Sequence, residues 1–147
     1  MGVVRFFVVF LVVANACIAK KAEAGGWTKK NASEPFFLAL AHIAASESSK
    51  TQNLSHYYTV KKVLEAEAQA VSGVDYRLKM RVALSTCSIN TDYNKKTCKP
   101  QPNAESKICT AVIHIPPGEK NNPLAKEVTS FECREGRKRQ SKKTAPQ

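Results

Sequence analysis

The chain has 147 residues, 43% of them hydrophobic, and 23 Lys and Arg against 12 Asp and Glu, for a formal net charge of +11. That length supports one domain around one core rather than two. The positive balance favours acidic partners such as glycans or membrane surfaces, but no nucleic-acid-binding motif accompanies it, which argues against nucleic-acid recognition.

Arg5 precedes an apolar run from Phe6 to Ala14, with small residues at Ala16 and Ala19, the layout of a secretory signal peptide. The run is too short to span a membrane. Cleavage after Ala16 would leave Cys17 as an odd thiol, and Ala24 is a later option; we place the boundary after Ala19. This gives a leader at 1–19, a domain at 20–133 and a tail at 134–147, and an extracellular location.

In the mature chain Cys87, Cys98, Cys109 and Cys133 allow three pairings. Sequential pairing is preferred, because each bridge then joins the end of one expected strand to the next segment. Each closed loop stabilises the fold by roughly 3 kcal/mol if unstrained. A zinc site competes, but the thiols are widely spaced and no Cys-x-x-Cys pair exists. No metal or other cofactor is expected. Asn31 and Asn53 each open a sequon for N-glycosylation.

The first regular element reads as a helix. Ser33 is a suitable N-cap, Glu34 favours the positive end of the helix dipole, and Pro35 is tolerated in the first turn. Phe36, Phe37, Leu40, Ile43 and Ala44 then form one apolar stripe, which fades in the serine-rich stretch from Ser46 to Lys50, where the helix should end. The single Trp, Trp27, is expected to pack at the helix entry.

Strands follow. Tyr57 to Ala70 opens with β-branched and aromatic residues, while in Val74 to Thr86 the residues Tyr76, Leu78, Met80, Val82 and Leu84 alternate with Arg77, Lys79 and Arg81. Ile108 to Ile115 and Lys126 to Arg134 supply two more, separated by a turn at Pro116, Pro117 and Gly118. Asn90 to Ser106 reads as an exposed excursion. One helix across an antiparallel sheet, an α+β fold, is the layer solution.

Between the first two strands, Gln69, Ala70, Val71, Ser72 and Gly73 read as a hairpin tip, where Gly73 permits a positive φ and a close approach to another surface. His42, His56 and His114 show no spacing that fits a Ser/His/Asp relay or a metal ligand set. Once the cysteines are paired no nucleophilic thiol remains, so the chain reads as a non-enzyme.

The order of leader, Gly25-Gly26, helix, Gln69-x-Val71-x-Gly73 hairpin and four cysteines resembles the secreted two-disulfide cystatins, over about Gly25 to Cys133. The closing segment Val128 to Cys133 looks like tick salivary cystatins. The resemblance implies a long helix across a curved sheet of about five strands, two consecutive disulfides, and inhibition of papain-like cysteine proteases of the cathepsin L, S or B type. It implies that Gly25 and Gly26 let an arm bend into the cleft beside Gln69 to Gly73, and that a second tip at Pro117 and Gly118 completes a wedge. The family usually carries Pro-Trp at that second tip, so Gly118 removes a large anchor. Lys20 to Ala24 likewise lack the larger apolar residues of many relatives, and the stretch from Glu119 to Leu124 looks long. On this reading Gly73→Glu abolishes inhibition and leaves the fold intact.

Some relatives also inhibit asparaginyl endopeptidase through an exposed Asn after the helix. Asn53 holds a comparable place, but Gln52 and Leu54 do not match the usual neighbours. After Cys133, the cations Arg134, Arg137, Lys138, Arg139, Lys142 and Lys143 face only Glu135. The tail therefore solubilises, anchors the chain to acidic glycans or membranes, or is released as a cationic peptide. The alternative function is a secreted cystatin scaffold that binds acidic glycans or membranes through this tail without inhibiting proteases. A monomer is expected, with domain swapping through the first hairpin as the route to a dimer.

Overall fold

The computed structural model describes residues 26–122 and 125–135. The expected leader at 1–19, Gly25, and the stretch from Gly136, which holds Arg137, Lys138, Arg139, Lys142 and Lys143, lie outside the described residues. The element order is β1 (Thr28–Lys30), α1 (Pro35–Thr51), β2 (His56–Val71), β3 (Gly73–Ser88), β4 (Lys107–Ile115) and β5 (Glu127–Glu135). The five strands form one antiparallel sheet in chain order, and α1 packs across it.

The helix starts one residue later than its capping residues imply. Glu34, not Ser33, is the N-cap; it makes no side-chain cap bond. The Ser33 N–H is engaged by Asn31 Oδ1 at 3.1 Å, which shapes the preceding turn. Pro35 then opens α1, where its missing N–H costs nothing. At the far end Asn53 takes a left-handed φ of 51°. Its N–H donates to the Lys50 carbonyl and that of Leu54 to the Ser49 carbonyl, both at 3.1 Å. These two bonds close a Schellman motif, with Gln52 as the C-cap and Asn53 as the left-handed residue just past it.

The core lies between Phe37, Leu40, Ala41, Ala44 and Ala45 of α1 and the inward residues of β2, β3 and β4. Three alanines on one helical face let the backbone approach the sheet closely. Tyr76, Leu78, Met80 and Val82 are all buried, as their alternation requires. Fully burying each large apolar side chain of this set contributes roughly 1.5–3 kcal/mol. The apolar stripe fades at Ser46 and the helix ends at Thr51, but its buried face continues through the polar Ser48 and Ser49. Ser49 Oγ donates to the Ala45 carbonyl at 2.6 Å and accepts the Tyr58 N–H at 2.8 Å, tying α1 to β2. Ile43, by contrast, is half-buried, stands outside the main core and lines a surface groove that Tyr93 also lines.

The cysteines pair sequentially, Cys87 with Cys98 and Cys109 with Cys133. The second bridge joins directly opposed residues of β4 and β5. The first pins the excursion, which is mostly exposed, as expected, but docks on the sheet at a few points. Pro100 bridges Ser85, the Gln101 N–H donates to the Leu84 carbonyl at 2.9 Å, and Gln101 Nε2 donates to the Ser85 carbonyl at 2.8 Å. Cys98 is 1% exposed and Ser85 is fully buried as a result. Tyr93 of the excursion hydrogen-bonds His42 of α1 and Thr59 of β2, and its ring sits 5.3 Å from that of buried Tyr57.

Candidate functional site

β2 and β3 pair through to Val71 opposite Gly73, leaving Ser72 as the tip. Gly73 adopts a φ of +101°, a conformation side chains rarely tolerate. The surface it approaches is inside the molecule. A Cβ on Gly73 would lie 2.3 Å from the Ile115 carbonyl oxygen and 3.1 Å from Pro116 Cα. Glycine at 73 therefore seats the first tip against the end of β4. The expectation that Gly73→Glu leaves the fold intact fails on this contact, because any side chain there must displace backbone.

Gly73 and Ile115 stand beside the second tip, so both turns close one end of the sheet. Between them runs a groove of about 450 Å³, lined by Val71 to Val74 on one hairpin and Ile115 to Gly118 on the other. Tyr76 also lines the groove and is held edge-on by Phe36 and Phe37, with ring centroids 5.3 Å and 5.8 Å away. Burial pushes the Tyr76 phenol above its ordinary range. Val71 is 45% exposed, a large apolar side chain presented to solvent at the tip.

The second tip is stiffened from behind. The Glu119 N–H donates to the Pro116 carbonyl at 3.2 Å, and Asn122 Nδ2 donates to Glu119 Oε2 at 2.8 Å. Lys120 Nζ stands 5.5 Å from the centre of the Phe36 ring, so the loop folds toward the start of α1. Gly118 has a φ of +80°, and a Cβ there would meet nothing within 4 Å. Pro117 and Gly118 are exposed.

The arm reaches the same end by strand pairing. Thr28 pairs with Ala68, so the register carried two residues further brings exposed Gly26 alongside Ala70. β1 carries no alternation of its own that the residues could announce; all three of its side chains are exposed. Trp27 does not pack at the helix entry. The Arg77 guanidinium of β3 lies 4.3 Å from the centre of its ring, and Arg77 also pairs with Glu67 at 2.6 Å. Trp27 thereby fixes the arm to the outer face of the sheet through a cation–π contact.

One further pair supports the site and gave no signal in the sequence. Asp75 of β3 lies directly opposite His114 of β4, with Oδ1 and Nδ1 2.6 Å apart. It sits two residues below Gly73 and cross-links the strands that bear the two tips. Gln69 is the residue opposite Asp75 on β2. Among the described residues no group of three His, Cys, Asp or Glu side chains could hold a metal ion. Asn53 is exposed at the end of α1, and Asn31 is exposed beside β1.

One helix over a five-stranded antiparallel sheet, with two hairpin tips joined at one end and two bridges in the second half, is the cystatin fold. The cystatin domain family matches residues 25–118, and the chain belongs to that family. It is 39% identical over 132 residues to Cystatin-1 of Ornithodoros moubata, covering 88% of this chain and 98% of that protein. It is 40% identical over 126 residues to Salivary cystatin-L2 of Ixodes scapularis, covering 84% and 92%. The solved structure of the salivary cystatin from the soft tick Ornithodoros moubata superposes with a TM-score of 0.66 at 37% identity, over 75% of this chain and 97% of that one. Cystatins are inhibitors of cysteine proteases and are not enzymes.

Proposed function

We propose that this protein is a secreted, reversible inhibitor of papain-like cysteine proteases of the cathepsin L, S or B type. The arm at Gly25 and Gly26, the tip at Gln69 to Gly73, and the tip at Pro117 and Gly118 form the edge that fills the protease cleft. The observation that carries this reading is the Gly73 contact with Ile115, which holds two exposed tips together before any partner arrives. A preformed edge loses little conformational entropy on docking, so a modest area can bind tightly. It presents no scissile bond in attack geometry, and inhibition is occlusion of the catalytic thiol.

The second tip lacks an indole, an interface anchor commonly contributing about 2 kcal/mol or more. Weaker binding or a narrower protease spectrum than that of a Trp-bearing relative follows. Residues 1–19 act as the leader, 20–133 as the inhibitory domain and 134–147 as a basic tail, and exposed Asn31 and Asn53 are the glycan acceptors. The protein works as a monomer. The test is titration of the oxidised, full mature chain against papain and cathepsins L, S and B. Reversible loss of activity near one equivalent for at least one enzyme is expected; full activity of all four at large molar excess would reject the reading.

A further inference from the structure

The outer face of the sheet carries one rung unlike its neighbours. Lys62 of β2 pairs with Arg81 of β3, Arg81 with Ile108 of β4, and Ile108 with Arg134 of β5. Directly paired residues share a face, so three cations line up across four strands. With neighbouring strands about 4.8 Å apart, the row spans about 14 Å. Lys62, Arg81 and Arg134 are all exposed.

The rungs nearer the tips neutralise their own cations: Lys79 pairs with Glu65 at 2.9 Å and Arg77 with Glu67 at 2.6 Å. Among the described residues, none of the three cations of the Arg81 rung has such a carboxylate partner. The adjacent rung runs Glu65, Lys79, Thr110, Glu132, two acids with one cation, so Glu132 is the one acid there that Lys79 does not pair. A bulge adds a fourth cation. The register slips between Val60 and Lys62, which makes Lys61 the extra residue; its Nζ donates to Ser106 Oγ at 3.1 Å and stays exposed.

We propose that this rung is a docking surface for a linear sulfated polysaccharide. A row of cations across four strands matches a linear polyanion. A membrane surface fits less well, because insertion needs apolar side chains beside the charges. Among the described residues the exposed large hydrophobic residues are Leu38 on α1 and Val71 on the first tip, the latter opposite Gly73 and so eight residues along the sheet from this rung. Arg81 is eight residues from Gly73 along β3, roughly 26 Å, so an occupied row leaves the protease-binding edge open. The proposal stands whether or not that edge inhibits.

The test is retention on immobilised heparin of the full mature chain, the Lys62→Gln/Arg81→Gln variant, the charge-preserving Lys62→Arg/Arg81→Lys variant, and a chain ending at Glu135. The glutamine pair is expected to bind heparin at least about fivefold more weakly, the charge-preserving pair like wild type, and the shortened chain to keep measurable binding. Circular dichroism and papain titration run alongside report on fold and edge. Wild-type retention by the glutamine pair, or complete loss of binding in the shortened chain, would overturn the proposal. So would binding of the wild type to phosphatidylserine vesicles as tight as to heparin at about 0.15 M salt, where exposed charges are screened beyond about 8 Å.

Discussion

Gly73 lies so close to Ile115 that a Cβ on the glycine would stand 2.3 Å from the Ile115 carbonyl oxygen. The tightest point of the proposed protease-facing edge is thus an internal joint between its own two hairpins. Gly73→Ala adds a side chain at a φ of +101° and forces that joint apart. The expected cost is about 2 kcal/mol in stability, with the tips displaced and inhibition weakened. Urea denaturation beside papain titration checks both; wild-type values in both would show that neither fold nor edge depends on the joint.

Val71 separates contact from architecture. Its side chain is 45% exposed and outside the core, so Val71→Ala should change stability by less than about 0.5 kcal/mol. If the first tip enters a protease cleft with Val71 as a central contact, the same change should raise the inhibition constant about fivefold or more, since truncating such a contact costs about 1 kcal/mol or more. An unchanged constant against every inhibited protease would remove Val71 from the interface.

Gly118→Trp restores the missing anchor, with two opposed effects. The site has room, since nothing lies within 4 Å of a Cβ there, but a φ of +80° is unfavourable for Trp. Stability should fall by about 1 kcal/mol. Inhibition should tighten about tenfold, the indole offsetting part of its strain on binding. Stability falling without any gain in inhibition against cathepsins L, S and B would show that this tip does not reach the cleft.

The legible parts of the fold were those where one physical rule acts alone. Alternation at Tyr76, Leu78, Met80 and Val82 marked β3, because a sheet covered on one face allows only that pattern. The tips were legible through their glycines and prolines. Hidden features depend on partners distant in sequence. Ser49 looks like a helix terminator until Tyr58 supplies its donor. Tyr93 lies in a polar segment yet docks on His42 and Thr59, 51 and 34 residues away. The role of Gly73 was legible only in part: its need for a positive φ follows from the turn, whereas the oxygen that excludes a side chain belongs to β4.

The bridge between Cys87 and Cys98 should matter for stability and not for the edge. It anchors the excursion, which joins the far ends of β3 and β4, away from the tips. The Cys87→Ser/Cys98→Ser variant should lose about 2–4 kcal/mol, while papain inhibition under native conditions stays within about twofold of wild type. Chemical denaturation and titration of one preparation decide it. Selective loss of inhibition would show that the excursion is coupled to the tips.

His42 should make the stability of the docked excursion depend on acid. Burial, with help from the Lys95 and Lys99 charges, lowers its pKa from 6.5 to about 4, and the neutral ring pairs with the Tyr93 hydroxyl. Because the folded value lies below the unfolded one, the unfolded chain binds more protons in between. Stability is then fully present above pH 6.5 and is lost as pH falls toward 4. The ring is only half-buried, so solvent screening reduces the loss to about 1 kcal/mol. Glu47, whose carboxyl is raised by burial, has the opposite sign: it adds stability as it takes up a proton. The informative quantity is therefore the difference between wild type and His42→Gln, which keeps an acceptor for Tyr93 but cannot titrate. Urea midpoints measured from pH 7 to pH 4 should fall more steeply for wild type; parallel curves would show that His42 is not the group responsible.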